Sequence, residues 1–125
     1  ARLRACAIGI QSLADGPAVR EGTGPNKLMD YLAAGLPVAI TYPGWAARLL
    51  EESGAGIAPQ REDFPAALLA LANDAERRAA MGAAARRLAE TRFDRAALAE
   101  KFVAVIEAAA GGRRQVAALA PRLAA

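Results

Sequence analysis

The fold turns on "GTGPNKLMDYLAAGLPVAITYPG", Gly22 to Gly44. Pro25 opens a helix, because its missing N–H costs nothing where the first helical amides have no partner anyway. Leu28, Tyr31 and Leu32 recur at helical spacing as one apolar stripe, and Gly35 ends the helix. Pro37 to Thr41, "PVAIT", predicts a strand with proline at its first residue, where the ladder tolerates it. Lys27 sits in the first turn of the helix, where the dipole disfavours a cation by roughly a few tenths of a kcal/mol.

Outward from this stretch, the same punctuation repeats. Arg2 to Ala5 reads as the end of a helix and "CAIGIQSL", Cys6 to Leu13, as a short buried strand. "ADGPAVREGTG", Ala14 to Gly24, is a polar loop of a length usually reserved for function or disorder. Downstream, a short helix is expected from Trp45 to Glu52, stopped by Gly54, then a third strand at "AGIAP", Ala55 to Pro59. Asp63 is expected to cap a helix with Pro65 in its first turn and Phe64, Leu68 and Leu71 on one face. Asn73 with Glu76 resembles a capping box for a helix running through Met81 and Leu88 to about Thr91. Asp94 caps a last helix with a stripe of Leu98, Phe102, Val105 and Ala109, which Gly111-Gly112 is expected to break.

Strands alternating with helices imply a parallel sheet joined by crossovers. The predicted class is α/β: a partial doubly wound, Rossmann-like parallel sheet of three strands, followed by several C-terminal helices. The expected organisation is one partial domain over residues 1–110 and a tail or helix over 111–125. The half that would complete the sheet is expected outside this chain.

Composition narrows the function classes. The apolar fraction is 54% but much of it is alanine, and aromatics are only 5%, so a thin core is expected. Net charge is +3, with arginine pairs at 77–78, 86–87 and 113–114 and glutamates nearby, the pattern of solvated helix faces. No aromatics interleave with these arginines as a nucleic-acid stacking platform requires, so no nucleic-acid partner is expected. Cys6 is the only cysteine and there is no histidine, which excludes an internal disulfide and any ordinary zinc site. No metal is expected, and no apolar run reaches membrane-spanning length.

In open α/β sheets, ligands bind at the carboxyl ends of strands, beside the loops and helix starts that follow. The unpaired amides of the helix beginning at Pro25 suit an anion there. A bound phosphate would turn Lys27 from a liability into a second contact, and Asp30, one turn on, is placed to accept from sugar hydroxyls. From spacing alone the simpler reading is a solvated Lys27 with Asp30 as its i+3 partner. Trp45, after the Pro43-Gly44 turn, reads more simply as packing than as a wall of a sugar site. Asp15-Gly16 reads as a turn, since the acidic cluster of a phospho-receiver domain is not visible.

Three segments in order, "GTGPNKLMDYLAAGLPVAI", "EESGAGIAP" and "LLALANDAERRAAMGAAARRLAETRFDRAALAEKF", resemble the carboxyl-terminal domain of a GT-B-fold glycosyltransferase. The similarity is to the retaining, nucleotide-sugar-dependent group that builds bacterial surface polysaccharides, and it covers Cys6 to Ala109. It implies a hexosyltransferase-type enzyme whose donor, a UDP- or GDP-linked sugar, is a substrate and whose reaction needs no cofactor. Within the family two glutamates separated by seven residues flank the loop and first turns of this helix. Asp30 occupies the place of the later, ribose-binding one, while the earlier falls on Gly22, with Glu21 beside it. The resemblance implies donor contacts from Glu21, Thr23, Gly24, Pro25, Asn26, Lys27 and Asp30, and it assigns no catalytic residue in this chain.

The family's diphosphate clamp and its acceptor-binding amino-terminal domain would lie upstream, so this piece alone is expected to be inactive. A cytoplasmic setting is expected, at the inner face of the membrane if the acceptor is lipid-linked. For "RRQVAALAPRLAA", with Arg113, Arg114 and Arg122 beside Val116 and Leu119, packing or disorder is favoured over a membrane surface. Two alternatives stand beside this reading. One is a nucleotide-sugar epimerase of the same architecture, whose catalytic histidine this chain does not supply. The other is a non-catalytic, self-associating module that covers an open sheet edge.

Overall fold

The computed structural model describes residues 3–13 and 26–119. The chain divides into two compact units, Ala1–Arg92 and Phe93–Ala125. After a single 3-10 turn at Leu3–Ala5, the first unit contains β1 (Gly9–Gln11), α1 (Asn26–Ala33), β2 (Val38–Ile40), α2 (Trp45–Ser53), β3 (Gly56–Ile57), α3 (Phe64–Asn73) and α4 (Ala75–Arg92). The class is the expected one: α/β, a three-stranded parallel sheet of order β1-β2-β3 followed by helices. Gly9 pairs with Val38 and Gln11 with Ile40, while Val38 pairs with Gly56. The strands are shorter than predicted because regular pairing is brief. Beyond it, single bonds continue the ladder, Gly9 N–H to Pro37 O at 2.9 Å and Thr41 N–H to Gln11 O at 3.2 Å.

Burial follows the strand periodicity. All three residues of β2 are buried, so both its faces are covered. In β1, Gly9 and Gln11 are buried and Ile10 is exposed, so one face of that strand is open. Leu28 and Leu32 of α1, Val38 and Ile40 of β2, Leu50 of α2 and Leu71 of α3 are wholly buried. Among the described residues, Tyr42 apart, the buried hydrophobic core holds no aromatic ring, in keeping with the composition.

Both glycine stops hold. Gly35 takes φ 70° and donates to Leu32 O at 3.0 Å, and Leu36 N–H returns to Tyr31 O at 3.0 Å, a Schellman turn that satisfies the last carbonyls of α1. Gly54 ends α2 with the same pair of bonds, to Glu51 O and Leu50 O.

Helix starts depart from expectation in two places. Asp63 precedes α3 but makes no capping bond, because its own backbone is already helical, continuing the turn in which Asp63 N–H bonds Gln60 O. The α4 cap is Asp74, whose Oδ1 accepts from Arg77 N–H at 2.8 Å, rather than Asn73, which is the last residue of α3. Two helices therefore meet at a one-residue joint, and the carboxylate of the joint serves the second. Arg78 closes the other side, its Nη1 donating to Leu71 O at 3.0 Å and to Ala72 O. These contacts give one arginine of the first pair a structural role, in place of simple solvation.

The second unit is α5, Arg95–Leu119. Asp94 caps it as predicted, accepting from Ala97 N–H at 2.8 Å. The helix runs through Gly111-Gly112 instead of breaking there. A glycine costs a helix only about 1 kcal/mol relative to alanine, and the alanine-rich flanks of this one carry it across. Leu98, Phe102, Val103, Val105 and Ile106 are exposed. No helix among the described residues is long and apolar enough to cross a membrane.

Candidate functional site

The start of α1 is fixed against the carboxyl end of β1. Tyr31, one turn into α1, lies directly over Gly9; a Cβ on Gly9 would come within 2.6 Å of the Tyr31 ring. Only glycine lets the helix sit this low on the strand. The Tyr31 hydroxyl then donates to Ile10 O at 3.4 Å, pinning helix to strand from the other side of the ring. Leu28 and Leu32 bury the inner face of α1 completely, which leaves Asn26, Lys27 and Asp30 exposed.

Between strand end and helix start lies a cavity of about 310 Å³ lined by Ile10, Gln11, Ser12, Leu13, Asn26 and Lys27. Of the donor contacts expected from the sequence, Asn26 and Lys27 are brought together on its wall. Asp30 lies one turn further along α1 and does not line it. Glu21, Thr23, Gly24 and Pro25 lie outside the described residues, as does the loop from Ala14 to Gly24. Among the described residues no hydrogen bond or ion pair joins Lys27 to Asp30, so the simple i+3 pairing is not made.

Two further polar groups at this end of the sheet were not anticipated. Gln11 closes β1 with 5% of its surface exposed, and its Oε1 has no hydrogen-bond partner. Tyr42 follows β2, equally buried, and its hydroxyl also lacks a partner. An unmatched buried polar group costs about 1–3 kcal/mol, and native folds leave few of them without a purpose. Burial holds the Tyr42 phenol above its ordinary value of 10.0. The signal for Gln11 was present in the sequence: a carboxamide at the inward position of an otherwise apolar strand, two residues after Gly9.

Two other cavities frame the sheet. One of about 590 Å³ opens beyond the ends of β2 and β3, against Tyr42, Gly44, Arg48 and Arg61. Trp45 stands half-buried at the start of α2 and does not line it. The other, about 500 Å³, lies at the opposite end of the strands, beside Cys6, Arg78 and Arg86. Both of its arginines are engaged with backbone carbonyls, Arg78 at the end of α3 and Arg86 donating to Ala33 O at 2.7 Å.

The cavity at β1 and α1 thus offers three kinds of group. The amides at the amino end of α1 and the Lys27 ammonium suit an anion, and the Gln11 carboxamide, with N–H donors and a buried oxygen, stands beside them. Comparisons with protein-family models, curated proteins and solved structures gave no match.

Proposed function

We propose that this chain is the donor-binding part of a retaining GT-B glycosyltransferase, which holds a UDP- or GDP-linked sugar for transfer to a polysaccharide or lipid-linked acceptor. The observation that carries the reading is the convergence of Asn26, Lys27 and the start of α1 on the cavity at the end of β1. These are the residues in which the sequence resembles the family most closely. In this reading the diphosphate lies over the amino end of α1, where amides and Lys27 share its charge. As the leaving group departs, negative charge grows on that diphosphate, and donors already in place stabilise it without reorganising. Asp30, exposed one turn away, accepts from the ribose hydroxyls, and Glu21, Thr23, Gly24 and Pro25 complete the contacts.

The intact enzyme is the catalyst in this proposal. The amino-terminal domain supplies the acceptor, and the chemistry runs in the cytoplasm or at the inner membrane face. Amide NMR titration with UDP, GDP and ADP tests the assignment. Shifts gathered at Asn26–Asp30 and favouring one base support it. Silence from all three, repeated with the intact protein, sinks it.

A second reading, self-association, is favoured by the exposed Leu98, Phe102, Val103, Val105 and Ile106 of α5. Sedimentation across a range of concentrations separates the two. A mass that rises with concentration supports association, and a constant monomer mass removes it.

A further inference from the structure

One wall of the cavity at β1 and α1 is the end of the strand with Ser12 and Leu13; the other is Asn26 and Lys27 at the start of the helix. How far apart these walls stand is set one helical turn beyond them, where Tyr31 rests on Gly9. A Cβ on Gly9 would stand 2.6 Å from Cγ and Cδ2 of the Tyr31 ring and 3.0 Å from Tyr31 Cβ. The ring can turn about its own bonds, but its Cβ moves only with the helix backbone. Carbon atoms rest at about 3.5–4.0 Å from one another, so an alanine at position 9 lifts α1 off the strand by roughly 0.5–1 Å. Leu28 and Leu32 are wholly buried, which leaves no slack on the inner face of the helix. Eight residues joined by their own backbone bonds move as one piece, carrying Asn26 and Lys27 with Tyr31.

We propose that Gly9 and Tyr31 are positioning residues of the donor site: the ring resting on the bare strand fixes how far the α1 amides and Lys27 stand from the end of β1. This rests on the donor reading and adds to it what holds the width of the site. Neither residue lines the cavity, so both act through the elements that do. A ligand held by both walls cannot follow the helix when it lifts, and its charge-assisted bonds, of about 2.7–2.9 Å, lengthen. The Tyr31 hydroxyl bond to Ile10 O, exposed and 3.4 Å long, is the weaker half of this seat.

The test is a double-mutant cycle on the intact protein. Calorimetric titrations with UDP, GDP and ADP are run well below the melting temperature of each variant, where a merely structural role leaves affinity unchanged. Gly9→Ala and Tyr31→Ala are each expected to bind the nucleotide that the wild type binds about tenfold more weakly. The double variant is expected to bind no more weakly than Tyr31→Ala alone, since the ring atoms that the new methyl group would strike are gone. Tyr31→Phe, which keeps the ring, is expected to restore the affinity that Tyr31→Ala loses. Wild-type affinity in either alanine variant, or fully multiplied losses in the double variant, overturns the pairing of Gly9 with Tyr31 and leaves the donor reading standing. If Gly9→Ala does not fold, the contrast at position 31 decides, and equal binding by the Phe and Ala variants overturns the assignment. Failure of the wild type to bind any of the three nucleotides overturns the donor reading, and the assignment falls with it.

Discussion

Gly82 of α4 lies against the Gly35 carbonyl, so close that a Cβ at position 82 would stand 2.5 Å from that oxygen. Arg86, one turn further along the same face of α4, donates to Ala33 O at 2.7 Å. The two residues seat α4 on the end of α1, one by having no side chain and the other by supplying a donor to a carbonyl left open by the helix end. The helix that carries Lys27 is therefore held at both ends, by Tyr31 against β1 and by α4 behind it.

Gly82→Ala should cost about 1–3 kcal/mol, the range for forcing extra atoms into a close-packed contact. The neighbour is backbone and cannot swing aside. Urea denaturation measures it; a loss below about 0.5 kcal/mol would show that α4 simply shifts.

Arg86→Met should cost about 1 kcal/mol by leaving Ala33 O without its donor. The Arg86–Glu90 pair, 2.6 Å long but exposed on both sides, is worth less, so Glu90→Gln should change stability by under about 0.5 kcal/mol. Denaturation of both variants at low and high salt checks the ordering. A larger effect from Glu90 would mean that the ion pair, not the carbonyl contact, is what Arg86 contributes.

Tyr42→Phe should leave the protein as stable as before or more so, since the hydroxyl it removes has no partner. The same burial sets a pH dependence. The phenol is raised in the folded state, so above the ordinary value of 10.0 the unfolded chain loses this proton first. Stability from this group is then fully present below pH 10 and falls as pH rises beyond it. The difference in stability between wild type and Tyr42→Phe, followed from pH 8 to 11, should shift in favour of the variant above pH 10. A flat difference would show that the phenol ionises freely.

Lys27→Glu should act with opposite signs on stability and binding. An acid at the start of α1 suits the dipole, so the ligand-free protein should gain up to about 1 kcal/mol. Affinity for the nucleoside diphosphate that the wild type binds should fall tenfold or more, because the charge that met the phosphate is reversed. If stability rises and binding does not change, the diphosphate does not lie at this helix start.

The sequence by itself determined the order and kind of the elements. Local chemistry sufficed wherever one residue settles the backbone: glycine at 35 and 54, where a left-handed turn is needed, and Asp94, whose carboxylate reaches an amide three residues on. It placed Asn26 and Lys27 at a helix start for the same reason. It misplaced the cap at 73–74, because two adjacent polar residues can both serve and only the end of α3 decides which one is free. It also stopped α5 at Gly111-Gly112, where the local cost is smaller than the helical preference of the flanks. The inward place of Gln11 is written in the alternation of β1, but tertiary structure alone decided whether the buried groups find partners. Whether Gln11 and Tyr42 find a hydrogen bond depends on what α1 and α2 bring over the ends of β1 and β2, across separations that no local pattern encodes. The same holds for the seat of α4, since the distance from Gly82 to the Gly35 carbonyl exists only once the helices have packed.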